Sequence, residues 1–500
     1  MTGAYAYPYL EDDDPWGHAE AAKYVSVEKN FDAKPRFTHY LEPYPPAYPA
    51  VMGLIHQTND SIFDTLKQFN VLLMVLALAL FYILTKLLFN RNVALISTII
   101  LGIMPSFMSH FIWAQTLAIA LSMISLYLII YFTKEQKNNY FYISIIILAS
   151  SLTVQTIASA KIGIIFMLLF GCFMLQSWRN KEQRAVTKKL FLIGLFGLVI
   201  SWSIYWVPAL IHQGPEEFFT IAEGFSIFQS ASGSSGSMAQ YANPIYSLKD
   251  IIAAPLSSKI DQATGIGIFT FITLLVGLFF ISLRYKKFKE PTILFAILWF
   301  AWELISLKSG SLPIGLFAAR SWVYISMPIA MVGGYGVYQF LRLSKKINKF
   351  LPYLVLIILI IGFYHTSYVP KEAVQHAIWP PGVTWTSSEE LQGYIILREL
   401  PSDTVIYSGC QTQSFVIGFD KMSFSWIKEI RDYKERIIED DIEDNYKFLK
   451  SYGYEYLILS SKCTQDYGMN ETNEKIQEFI ENDKFNLVNS NAGFLLFRVI

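Results

Sequence analysis

Ten apolar stretches run through the first three-quarters of the chain, at roughly 71–89, 93–109, 116–132, 141–158, 162–176, 190–212, 264–284, 292–307, 320–343 and 351–369. An α-helix needs about 20 residues to cross a hydrocarbon core, and in lipid it must satisfy every backbone group internally. The pattern therefore predicts a polytopic α-helical membrane bundle of about ten spans. The basic residues fall in every second connection. Arg179, Lys181, Arg184, Lys188 and Lys189 share one; Arg284, Lys286, Lys287 and Lys289 another; Arg342, Lys345, Lys346 and Lys349 a third; Arg91 and Lys134 to Lys137 take the same side. Basic connections stay cytoplasmic. That rule orients a multi-pass protein in the cell membrane and places residues 1–70, the connection 213–263 and everything after 370 outside. No secretory signal precedes the first segment, and Met1 opens abruptly on Tyr5, Tyr7 and Tyr9, so the topology predicts one more helix upstream.

Three regions follow: a first external loop with an acidic motif at 1–70, the bundle at 71–369, and a small external α/β domain at 370–500. In the last, Thr404–Tyr407, Tyr456–Leu459, Phe485–Val488 and Phe494–Val499 are rich in strand formers, and Ile427–Lys450 reads as a charged helical stretch. A formal net charge of zero argues against a nucleic-acid partner. Cys410 and Cys463 both fall outside, where a disulfide and two free thiols are equally open; Cys172 lies in an apolar stretch. In the first loop, Pro43, Pro45, Pro46 and Pro49 exclude a long helix, while His18 to Lys29 reads as an amphipathic helix lying along the membrane interface.

The sharpest chemical feature is Glu11-Asp12-Asp13-Asp14-Pro15-Trp16. Adjacent carboxylates repel, and solvent or a cation must relieve them. Asp12 and Asp14 have the spacing to hold magnesium or manganese against a phosphate, or one of them serves as a general base. An acidic turn capping the following helix, with Pro15 at its first position, explains the same residues. The second feature is a set of charges at the outer ends of apolar runs: Lys161, Glu303, Lys308 and Arg320. Charges so placed face the bundle interior or snorkel to headgroups, and an Arg suits a phosphate because its fork donates two parallel hydrogen bonds. Glu223, in Thr220-Ile221-Ala222-Glu223, opens the long external connection, and His110 lies in a short outer loop, where a weak case exists for a metal ligand.

These residues, in this order, resemble the GT-C superfamily of membrane glycosyltransferases, most closely the oligosaccharyltransferase catalytic subunit and its archaeal relatives. Asp14-Pro15-Trp16 matches that family's acidic residue before Pro and an aromatic. Thr220 to Glu223 matches its Thr-Ile-x-Glu loop, and Arg320-Ser321-Trp322-Val323-Tyr324-Ile325-Ser326-Met327-Pro328 its Arg at the head of a late helix. The resemblance implies a glycosyltransferase that moves a sugar or oligosaccharide from a polyprenyl-phosphate-linked donor to an acceptor on the outer face. Asp14 and Asp12 would bind a divalent cation or activate the acceptor, Glu223 would approach metal or acceptor, and Arg320 would hold the lipid phosphate.

Two departures shape that expectation. The second external loop, Ser109-His110-Phe111-Ile112-Trp113-Ala114-Gln115-Thr116, lacks the family's usual carboxylate, which puts the metal in question. No Trp-Trp-Asp-Tyr-Gly signature occurs after the bundle, which turns the expectation away from asparagine-linked transfer and leaves the acceptor open. The rival readings are a non-enzymatic transporter or lipid-binding membrane protein, and an inactive scaffold for other glycosylation components.

Overall fold

The computed structural model describes residues 3–11, 13–30, 41, 44–107, 112–178, 181–214, 244–253, 263–283, 291–312, 316–376 and 385–500. In chain order the helices are α1 Asp13–Glu28, α2 Ala47–His56, α3 Ile62–Leu88, α4 Arg91–Ile103, α5 Ala114–Glu135, α6 Asn138–Ser151, α7 Thr156–Ser177, α8 Lys181–Ser201, α9 Val207–Gln213, α10 Leu248–Ile252, α11 Ile268–Leu283, α12 Pro291–Leu307, α13 Ala318–Ile347, α14 Leu351–Phe363 and α15 Val369–Gln375. After them come α16 Ser388–Ile396, α17 Ser414–Gly418, α18 Lys428–Tyr433, α19 Ile442–Ser451, α20 Ser461–Tyr467 and α21 Met469–Glu481. Four strands complete the order: β1 Ile406–Ser408, β2 Tyr456–Ser460, β3 Phe485–Asn491 and β4 Phe494–Val499. Single π turns at Trp202–Trp206 and Tyr364–Tyr368 carry α8 into α9 and α14 into α15.

The chain divides into two compact units. One gathers Met1–Asn70, Phe111–Trp113 and Trp379–Ile500; the other gathers Val71–His110 and Ala114–Ile378.

In the second unit each of the ten apolar stretches is helical over most of its length. Among the described residues, five helices are long and apolar enough to cross a membrane: Ile62–Leu88, Ala114–Glu135, Thr156–Ser177, Gln183–His212 and Leu351–Gln375. Arg91–Ile103, Ile268–Leu283 and Pro291–Leu307 are shorter apolar helices. At the centre of the unit lies α13, buried on nearly every face from Ala318 to Val337 and packed on α4, α11 and α12. Helices in lipid gain little from apolar burial against one another, so close approach through small residues must hold them. Gly334 lies against Ser97 of α4, and Gly336 against Gly277 of α11, with no room for a β-carbon at either. The start of α4 is capped by Asn90, whose side chain accepts from the Asn92 and Val93 amides at 3.0 and 3.1 Å. Its other end is met by Lys371, whose Nζ donates to the carbonyls of Gly102 at 2.8 Å and Phe107 at 3.0 Å.

The first unit is built on a four-stranded sheet in the order β1-β2-β4-β3. β1 runs parallel to β2, and the remaining pairs are antiparallel, as the short Ala492-Gly493 turn between β3 and β4 requires. All four predicted strands form. Under the sheet Tyr407, Tyr433, Ile437, Leu449, Tyr454, Leu457, Phe479 and Phe497 make one buried cluster. Cys410, just after β1, and Cys463, in α20 just after β2, are paired as a disulfide, closing the alternative of free thiols.

Two expectations about helices need correction. Ile427–Lys450 is two helices, α18 and α19, separated by turns. The buried Asn445 explains the break: its amide donates to the carbonyls of Ile437 at 3.1 Å and Asp440 at 3.0 Å, so the intervening segment gives those groups to a side chain instead of a helical ladder. The amphipathic helix read from His18 begins earlier, at Asp13, and is enclosed by protein: Trp16, Ala19, Ala21, Ala22 and Val25 are all buried, and α1 packs between α2 and α17. The described residues among the first seventy thus fold together with those of the sheet domain.

Candidate functional site

Within the first unit, the acidic motif is anchored by the residue that follows it. Trp16 is 1% exposed and its ring meets Phe415 at 5.1 Å, Phe419 at 5.2 Å and Trp385 at 5.6 Å between centroids. Gly418 makes this possible, because the indole occupies the space a β-carbon there would need. Pro15 is buried beside it, and Asp14, in the first turn of α1, is half-buried. A carboxylate two residues before a locked indole on a helix has little freedom of position, which suits a group that must meet a substrate. Asp12 lies outside the described residues.

The rest of α1 carries a compact charge network. Lys23, buried, pairs with Asp403 and lies 3.3 Å from Nε2 of His56 in α2. Burial, and then the Lys23 ammonium, push His56 down to about 4, so the ring is neutral at physiological pH. Nearby, Asp420 accepts from Ser61 Oγ at 2.8 Å and from the Phe63 amide at 3.0 Å, fixing the start of α3; burial nevertheless holds its carboxyl above the usual range. Tyr48, from the aromatic cluster before α2, is fully buried against His18, with 4.7 Å between ring centroids.

In the second unit a polar cluster surrounds the first turns of α13. Lys161 of α7 is buried, and its Nζ donates to Ser306 Oγ of α12 at 2.7 Å and to Ser321 Oγ of α13 at 2.8 Å, with Glu303 Oε2 of α12 at 3.4 Å. The two serines are 2.8 Å apart, and Ser306 donates onward to the Leu316 carbonyl at 3.1 Å. Arg320 is the residue before Ser321, half-buried in the first turn of the helix, and its carbonyl accepts from Gln115 Nε2 of α5 at 3.3 Å. Phe317, immediately before α13, sits in the left-handed region at φ +52°, a conformation that costs a non-glycine residue of order 1–3 kcal/mol. Such strain persists where surrounding contacts dictate the backbone, and here they fix the entry into the Arg320 turn. Lys308 reaches the Tyr246 carbonyl, and the Tyr246 ring lies against Trp322 at 5.1 Å. The N-terminal turn of a helix favours negative charge, and Arg320 lies in that turn.

The sequence marked Lys161, Glu303 and Arg320 as separate charges; the structure joins the first two into one buried cluster beside the third. Their partnership had one readable trace, Ser306 one turn beyond Glu303, and none that named Ser321. Asp14 belongs to the first unit and Arg320 to the second. Glu223 and His110 lie outside the described residues. Among the described residues no three of His, Cys, Asp and Glu converge.

A family model described as dolichyl-phosphate-mannose-protein mannosyltransferase matches residues 44–206. No curated protein matches the chain by sequence. Among solved structures, the apo oligosaccharyltransferase of Archaeoglobus fulgidus aligns with a TM-score of 0.53 at 12% identity over 91% of this chain and 66% of its own. The chain is therefore the shorter of the two. The same enzyme in complex with Zn and sulfate gives 0.52 at 12% identity over 91% and 65%. ArnT from Cupriavidus metallidurans, bound to undecaprenyl phosphate, gives 0.53 at 11% identity over 100% of this chain and 96% of that one. The chain shares the fold of these two proteins. Among the described residues, five helices have the length and apolarity that crossing a membrane several times requires.

Proposed function

We propose that this chain is an integral-membrane glycosyltransferase that takes a sugar from a polyprenyl-phosphate-linked donor and transfers it to an acceptor on the outer face. The observation that carries the reading is Arg320 in the first turn of α13, where guanidinium and helix dipole add, beside a buried cluster that fixes the turn. The length match to ArnT, whose structure holds undecaprenyl phosphate, and the mannosyltransferase family model favour a single sugar on a monophosphate carrier over an oligosaccharide. In this reading residues 1–70 and 370–500 lie outside and membrane lipids surround 71–369.

The acceptor hydroxyl attacks the anomeric carbon as its proton passes to a base. A new carbon–oxygen bond forms while the bond to the phosphate oxygen breaks, and the electron pair leaves on the polyprenyl phosphate, inverting the carbon. Arg320 meets the charge that develops there. From the resemblance, Asp14, Asp12 and Glu223 would each serve as that base or as a ligand to a cation, and His110 as a ligand to such a cation.

The test is transfer of labelled mannose from a polyprenyl-phosphate donor by the purified protein in lipid nanodiscs, with and without chelator. Asp14→Asn and Arg320→Ala should each lower the rate about 100-fold or more. Full activity in both variants rules the reading out.

A further inference from the structure

Lys161 spends its hydrogen bonds in an unusual way for a lysine in an apolar helix. A lone ammonium near hydrocarbon would snorkel to the headgroups or pair with one carboxylate. Here Nζ is enclosed among three helices and binds Ser306 and Ser321 more closely than it approaches Glu303, 2.7 and 2.8 Å against 3.4 Å. Ser306 in turn holds the Leu316 carbonyl on the approach to α13, and the Ser309 hydroxyl accepts from the Leu316 amide at 3.3 Å. The cluster therefore grips the segment into α13 from one side and the helix's own first turn, at Ser321, from the other. A buried pair of this kind is seldom more stabilising than apolar residues of the same volume. Geometry is what it adds.

We propose that Lys161 is a positioning residue for Arg320, setting through Ser321 the rotation of the first turn of α13 and so the direction of the guanidinium toward a lipid phosphate. This rests on the reading of Arg320 as the phosphate ligand. Removing Lys161 alone would leave Glu303 buried and unpaired, so the informative variant neutralises both: Lys161→Met with Glu303→Gln, which keep the stem volume and the side-chain shape.

The experiment is equilibrium binding of undecaprenyl phosphate, with undecaprenol as the control lacking phosphate, to the full chain in lipid nanodiscs. The paired variant should melt at or near the wild-type temperature yet bind undecaprenyl phosphate at least tenfold more weakly, with undecaprenol binding unchanged. Adding Arg320→Ala to it should cost little more, because the two sites would act as one unit. Wild-type binding by the paired variant, when Arg320→Ala alone has lost it, overturns the positioning role, as does strict additivity. Wild-type binding by Arg320→Ala instead removes the phosphate reading on which this rests. Ser321→Ala, which cuts only the link to the turn, is judged by the same outcomes if the paired variant does not fold.

Discussion

Trp16 and Gly418 are in contact inside the first unit, the indole of one filling the space where the other lacks a side chain. Because Trp16 also fixes Asp14, a change at residue 418 should be felt at the acidic motif. Gly418→Ala forces the indole to shift and should cost about 1–3 kcal/mol, while Trp16→Ala, which empties the site, should cost about 3–5 kcal/mol. Thermal unfolding followed by tryptophan fluorescence checks the order of the two. Equal melting temperatures for Gly418→Ala and wild type would show that the ring does not depend on that glycine.

His56 gives the first unit a defined response to acid. Its folded value is about 4 against an ordinary 6.5, so between those values the unfolded chain takes up a proton that the folded one refuses. Stability is full above about pH 6.5 and falls as pH drops toward 4, by roughly 2 kcal/mol once partial hydration of the ring is allowed for. His56→Gln should flatten the stability profile in that window, measured by denaturant unfolding at a series of pH values. An unaltered slope would place the acid sensitivity elsewhere.

The disulfide between Cys410 and Cys463 closes a long loop, the cysteines being 53 residues apart. Chain-entropy arguments give such a link up to about 4 kcal/mol. The Cys410→Ala, Cys463→Ala pair should therefore melt well below wild type. In intact cells a membrane-impermeant maleimide should label these positions only after reduction if the unit lies outside as proposed. Labelling without reductant would contradict the pairing.

Much of this architecture could be read from the residues one stretch at a time. Long apolar runs announce helices because lipid forbids unpaired backbone, and β-branched and aromatic runs such as Phe494–Val499 announce strands. Partnerships across distance were illegible. Nothing near Trp16 says that its neighbours are Phe415 and Phe419, so the motif reads as cation ligand or helix cap, whereas its aromatic residue is a core anchor. Lys161 and Glu303 are 142 residues apart, and each alone looks like a charge at a helix end. The break between α18 and α19 depends on one buried asparagine that composition cannot distinguish from a solvated one.

Three helix glycines offer a last test, because the neighbours of Gly334 and Gly336 in α13 and those of Gly163 in α7 predict opposite outcomes for the same substitution. At Gly334 a β-carbon would overlap Ser97, and at Gly336 it would overlap the backbone of Gly277, whereas at Gly163 of α7 it would meet nothing within 4 Å. Without an apolar driving force between helices, separating α13 from α4 or α11 forfeits the close contact that joins them. Gly334→Ala and Gly336→Ala should thus each cost about 1–3 kcal/mol and lower the yield of monodisperse protein in detergent. Gly163→Ala should leave both unchanged. Thermal stability in one detergent, measured for all three by size-exclusion recovery after heating, separates the cases; a Gly163→Ala loss equal to the others would mean that helix propensity or lipid exposure, and not helix contact, governs these positions.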